Sequence, residues 1–183
     1  MNRNIRWILL VAGLIALYFG GRALGLDRYL HESSLREAVA SAGPLGPLLF
    51  LAVFIGAVLA QIPGIPFVIL APALFHWPMA IFLSLLAANV AVIVNFEIVR
   101  RIGGNTLTEI KNPFLQRILD SLDTHPIRAV FLLRLITIML PPITGALALT
   151  RVSRRDHAVG SALGMIVPLL ALLAAGGMLV TGS

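Results

Sequence analysis

Arg134 is the only charged residue between Arg128 and Arg151, and it sits in the apolar run Phe131-Leu-Leu-Arg-Leu-Ile136. An arginine at membrane depth is costly unless it is paired or hydrated. Its planar guanidinium matches phosphate oxygens two at a time, so one chemistry for it is phosphate binding inside a bilayer. The competing reading is snorkelling, because the polar boundary at Arg128 is only a turn or two away. Glu97 is the only acid inside an apolar run, and Arg100 and Arg101 follow it at i+3 and i+4. That spacing suits a helix-end ion pair as well as a lipid site, and it makes Glu97 the first candidate for a proton carrier. Arg151, Arg154 and Arg155 would gather anionic lipid or simply fix topology. Asn89 and Asn95 would line a cavity or, the simpler reading, hydrogen-bond between helices. His31, His76, His125 and His157 have no metal-ligand spacing, and no nucleophile or phosphate-loop motif is present. The expectation is therefore a protein without a catalytic residue, metal or cofactor.

Two backbone features could position such groups. Gln61-Ile-Pro-Gly-Ile-Pro66 interrupts the apolar stretch 45–99, and Pro141-Pro142 interrupts 127–150. Proline removes a helix donor and clashes with the preceding turn. Broken backbone at membrane depth persists only where protein or a watery cavity satisfies the freed groups, and such breaks recur at transporter substrate sites. Gln61, Pro63 and Pro66 would expose backbone dipoles to a head group or would simply form a turn.

Composition fixes the class. Of 183 residues, 58% are hydrophobic and 12% charged, about half the charge of an ordinary soluble domain. Mean hydropathy is +0.95. The net charge of +6 would raise nucleic acid as a partner for a soluble protein. Here the arginines lie in short loops, where they set topology and meet anionic head groups. The chain has no cysteine, which excludes disulfides and thiolate metal sites.

The hydropathy pattern predicts an all-α integral membrane protein. Residues 1–44 hold a retained first span at 5–19, preferred over a cleaved signal, and a short external segment. There Ser34-x-x-Glu37 reads as a capping box for a helix ending at Gly43-Pro44. Residues 45–183 form the main domain: a broken hairpin at 46–75, a span at 78–99, a second hairpin at 127–150 and a last span at 158–180. Between them, Asn112-Pro113 opens a short amphipathic surface helix, and Gly160-x-x-x-Gly164 permits close helix contact in the last span. Both basic loops, 100–128 and 151–157, suit the cytoplasm only if 127–150 enters and returns. The resulting topology has a cytoplasmic N-terminus, three full spans and two re-entrant hairpins entering from opposite sides. Paired broken segments in inverted halves point to a transporter binding site.

This layout resembles the DedA superfamily, also called the VTT or SNARE-associated Golgi protein domain family, over roughly 45–177. Asn95-Phe-Glu-Ile-Val-Arg-Arg-Ile-Gly103 resembles the family's aromatic-x-x-x-Arg signature, with Phe96 and Arg100 in its positions. Phe131-Leu-Leu-Arg through Pro141-Pro142, with the turn Ala146-Leu-Ala-Leu-Thr-Arg-Val152, resembles its arginine-led hairpin. The resemblance implies a bacterial inner-membrane lipid translocase, a flippase or scramblase for undecaprenyl phosphate or a phospholipid. Arg134, Arg100 and Arg151 would meet the lipid phosphate. The chain departs from the pattern at Gln61, where many members have an acid, and at Thr137, Leu140 and Ala148. These residues accommodate a passive pathway more readily than a proton-coupled one. A non-transporting scaffold of the same fold and an intramembrane lipid-modifying enzyme are the alternatives. The expected partners are phosphate-bearing membrane lipids and no nucleic acid; a homo-oligomer is left open.

Overall fold

The computed structural model describes residues 3–103, 120 and 122–181. The expected surface helix at Asn112-Pro113 lies outside them. The described residues are helical, without strands. Helix α1 spans Arg3–Ala23, a short 3-10 helix follows at Leu26–Leu30, and α2 spans Glu32–Ser41. Next come α3 (Gly46–Leu59), α4 (Ile65–Leu74) and the long α5 (Trp77–Gly103). The second half holds α6 (Pro126–Thr137), α7 (Pro141–Ala148) and the long α8 (Arg154–Thr181). Within α5 and α8, residues 77–102 and 154–179 are long and apolar enough to cross a membrane.

The capping box expected at Ser34 is not formed. Helix α2 starts three residues earlier, with His31 in place of Ser34 at its N-cap, because the Leu35 N–H already donates to the His31 carbonyl. Ser34 is therefore inside the first turn.

The prolines break the helices where expected, and each break has its own hydrogen-bond solution. At the first, the Gln61 N–H donates to the Val58 carbonyl at 3.0 Å and the Ile62 N–H to Ala57 at 2.9 Å. That pair of bonds is a Schellman motif, and it requires a left-handed residue at the position after the cap. Gln61 fills it with φ 62°, where glycine is usual. At the second break Ile138 has φ 53° and ψ −109°. A β-branched residue there is strained, by about 1–3 kcal/mol. After each break proline restarts the chain: Pro66 in the first turn of α4, and Pro141-Pro142 in the first turn of α7.

Packing repeats across the two halves. Helix α3 packs on α5 and α6 on α8, each within its own half; α4 crosses to α8 and α7 crosses to α5. The two long helices also touch. The outer ends of each broken segment meet. Phe50 near the start of α3 contacts Phe75 just after α4, with ring centroids 5.3 Å apart. Asp123 before α6 pairs with Arg151 after α7 at 3.7 Å. The breaks themselves also approach: a methyl group on Gly64 would lie 2.6 Å from Met139 Sδ.

Close approach relies on small residues. Ala80, Ala87, Ala88 and Ala91 give α5 a fully buried small face. A Cβ on Gly160 would come within 2.8 Å of the Ile127 carbonyl, and one on Gly164 within 2.6 Å of the Phe131 carbonyl. These two glycines let α6 lie directly on α8, which brings Arg134 to its partners.

Candidate functional site

Arg134 is completely buried. From α6 it reaches across to α7 and α8. Its Nε donates to Ser161 Oγ, one Nη donates to the Ile138 carbonyl and the other to Thr144 Oγ1, each at 3.1 Å. The second Nη also meets His157 Nε2 at 3.1 Å. A guanidinium can only donate, so this imidazole nitrogen accepts and the ring proton sits on Nδ1. Ser161 and Thr144 are fully buried and His157 nearly so. Four of the five guanidinium N–H groups are thereby used. No carboxylate pairs with Arg134 among the described residues. A buried cation whose only partners are neutral keeps most of its desolvation cost. Snorkelling is not what this side chain does.

The arginine also closes the strained turn. The Ile138 N–H donates to the Arg134 carbonyl at 2.9 Å, while the Ile138 carbonyl accepts from the guanidinium. Both backbone groups of the positive-φ residue are thus held by one residue.

His157 links this cluster to α5. Its ring stacks on Phe96 with centroids 4.1 Å apart, and the Arg100 guanidinium lies 4.7 Å from the same Phe96 ring. Arg100 is otherwise engaged with backbone. It donates to the Ala148 and Val152 carbonyls, stapling the turn after α7 to α5. It does not pair with Glu97. Glu97 instead accepts from Arg101 and, across the helix boundary, from Arg154, both at 2.8 Å. The i+4 half of that pairing is legible in sequence; the Arg154 half needs the fold.

Glu97 faces a cleft of about 390 Å³ between the end of α5 and the start of α8. Ile93, Val94 and Ile98 make its apolar wall, Arg101, Arg154 and Glu97 its charged end, and Phe96 and His157 its inner side. His157 therefore touches both the cleft and Arg134. The start of α8 is fixed by Ser153, whose hydroxyl accepts from the Asp156 N–H and donates to the Asp156 carboxylate.

The remaining sequence candidates lie elsewhere. Arg151 is exposed and pairs with Asp123, away from the Arg134 cluster's contacts. Asn89 Nδ2 donates to the Leu85 carbonyl of its own helix at 2.8 Å, not to another helix. Asn95 is buried with its Nδ2 unpartnered. Gln61 Nε2 reaches back to the Leu59 carbonyl at 3.5 Å. Pro63 is exposed, and Pro66 and Pro141 serve as helix starters. Among the described residues no group of three or more His, Asp or Glu is placed to hold a metal.

His157, Thr144, Ser161 and Ile138 were not singled out by sequence reasoning as partners of Arg134. One signal for two of them exists: His157 and Ser161 are four apart where the last helix turns apolar, beside the Gly160/Gly164 pair. A sequence model of the VTT domain family matches residues 62–178, more than half of the chain, running from just after Gln61 in the first break through α4, α5, α6, α7 and most of α8. No curated protein and no solved structure matches.

Proposed function

Because the chain belongs to the VTT domain family, we propose that it is a lipid translocase, passing the head group of a phosphate-bearing lipid across the membrane. Family membership and the two long apolar helices make it a membrane protein. On this reading α1 is a third span, and the α3–α4 and α6–α7 segments are re-entrant hairpins that meet tip to tip. The Glu97 pairing with both Arg101 and Arg154 supports it, because it brings the basic end of α5 beside the basic start of α8. The proposed setting is a bacterial inner membrane, and by the positive-inside rule that end is cytoplasmic and the N-terminus inside.

The observation that carries the proposal is Arg134: a fully buried guanidinium that no carboxylate pairs with among the described residues, anchored to the broken turn of the second hairpin. A structural role alone would be served as well by an apolar residue, which often costs less than a buried charge. A phosphate would supply the missing anion, and the hydroxyls of Thr144 and Ser161 would hold the fork in place for it. The acyl or prenyl chain would stay in the bilayer. No acid lies in either break, so the pathway is proposed to be passive and independent of a proton gradient.

Purified protein in vesicles tests this. A fluorescent phosphate-bearing lipid introduced in one leaflet should equilibrate between leaflets, and a protonophore should not alter the rate. A neutral diacylglycerol analogue would serve as the comparison. Equilibration no faster than in protein-free vesicles would reject translocation and leave the scaffold reading.

A further inference from the structure

We infer that the cleft between α5 and α8 is a docking site for a single-chain or double-chain anionic amphiphile, and that Glu97 is an internal stand-in for its head group. The inference deepens the translocase reading by naming an entry site, but its test does not require transport.

Three observations carry it. First, the polarity along the cleft runs as it does along a lipid. Ile93 and Val94 lie toward the middle of α5, Glu97 and Ile98 one turn on, and Arg101 a turn beyond, with Arg154 facing them. From Ile93 to Arg101 is about 12 Å of helix axis, room for an alkyl chain below a charged head. Second, Glu97 bridges Arg101 and Arg154 with one oxygen, 2.8 Å from each. Two guanidinia converging on one oxygen is the pattern a phosphate would meet. Both arginine side chains are mostly exposed, at 75% and 70%, whereas Glu97 is at 23%. The cations are therefore free to follow a ligand while the carboxylate swings aside. Third, the inner wall is His157, which is itself bonded to Arg134. A head group that displaced Glu97 would share the cleft with the imidazole that meets the buried guanidinium. The volume of about 390 Å³ is within the range of ordinary ligand pockets, which runs from about 300 to 1,000 Å³.

If Glu97 competes with the ligand, removing its charge should tighten binding. Detergent-solubilised full-length protein would be titrated with dodecyl phosphate and bound ligand counted by native mass spectrometry. Dodecyl maltoside would measure the alkyl contribution alone, and inorganic phosphate the head group alone. Wild type should retain dodecyl phosphate in preference to both. Glu97→Gln should bind it about fivefold more tightly, and Arg154→Gln about fivefold more weakly. Glu97→Asp should stay near wild type. The exposed position of Arg154 keeps that variant informative even if Glu97→Gln does not fold. Equal retention of inorganic phosphate would replace the amphiphile by free phosphate and overturn the inference. Unchanged or weaker binding in a folded Glu97→Gln protein, or unchanged binding in Arg154→Gln, would also overturn it. Binding as expected without lipid movement in vesicles would instead reject the translocase reading and leave the docking site standing.

Discussion

At the residue scale, what distinguishes this chain is how Arg134 is satisfied. Its bonds leave from three different nitrogens toward α7, α8 and the broken turn. An ammonium offers its donors from a single atom and cannot span these partners. Arg134→Lys should therefore lose lipid movement by about tenfold or more, nearly as much as Arg134→Gln. It should also unfold at lower temperature in detergent, because hydrogen bonds to a charged group are worth about 1.5–3 kcal/mol each. Full activity in the lysine variant would reduce Arg134 to a generic positive charge. Gln61 makes the opposite kind of prediction. Its amide makes only a long bond to Leu59, while its backbone holds the left-handed position of the Schellman motif. Gln61→Gly should raise stability by about 1 kcal/mol by removing the Cβ penalty, and should keep lipid movement. Loss of movement in that stable variant would give the amide a functional role. The burial cost of Arg134 was legible in the sequence, since one arginine in an apolar run must be accounted for. Its acceptors were not. Thr144 carries no mark in linear order, and the four-residue spacing of His157 and Ser161 puts them on one helix face without saying what that face meets.

At the element scale, the prolines made the breaks legible, and the length of the apolar runs made α5 and α8 legible. The chemistry of each turn was hidden, because positive φ at Gln61 and Ile138 follows from hydrogen bonds and not from residue preference. The α2 boundary differs from the sequence expectation for a related reason: Ser34 has the spacing of a cap, but the backbone bond to His31 starts the helix earlier. The Gly160-x-x-x-Gly164 spacing, in contrast, marks the α6–α8 contact on which the Arg134–Ser161 bond depends. Gly164→Ala would put a methyl 2.6 Å from the Phe131 carbonyl and 2.7 Å from Arg134 Cβ. The backbone cannot yield cheaply, so the substitution should cost about 1–3 kcal/mol, read as a lower unfolding temperature, and should lower lipid movement with it. Gly20→Ala is the control. Nothing lies within 4 Å of its Cβ position, so the same change there should be neutral or gain up to about 1 kcal/mol. Equal effects at the two positions would show that α6 and α8 are not in close contact.

At the scale of the whole molecule, the exchange of broken helices between halves ties the two breaks together at the centre, with α5 and α8 running between the ends. Order along the chain suggested this symmetry, but which helix crosses to which partner could only come from packing. The proposed re-entrant topology makes a prediction at this scale. In this cysteine-free chain, single cysteines at Ile102 and Arg155 should react with a membrane-impermeant maleimide from the cytoplasmic side only, and one at Ser41 from the opposite side. Labelling of Ile102 and Arg155 from different faces would exclude a re-entrant α6–α7. On the proposed function, a lipid phosphate completes the buried Arg134 cluster during passage. Its most direct test is the rate at which a fluorescent phosphate-bearing lipid becomes accessible to an external quencher in vesicles holding either wild type or Arg134→Gln at matched, folded amounts. Rapid exposure of the inner-leaflet pool is expected with wild type, and the protein-free rate with Arg134→Gln. Equal rates for the two proteins would contradict it.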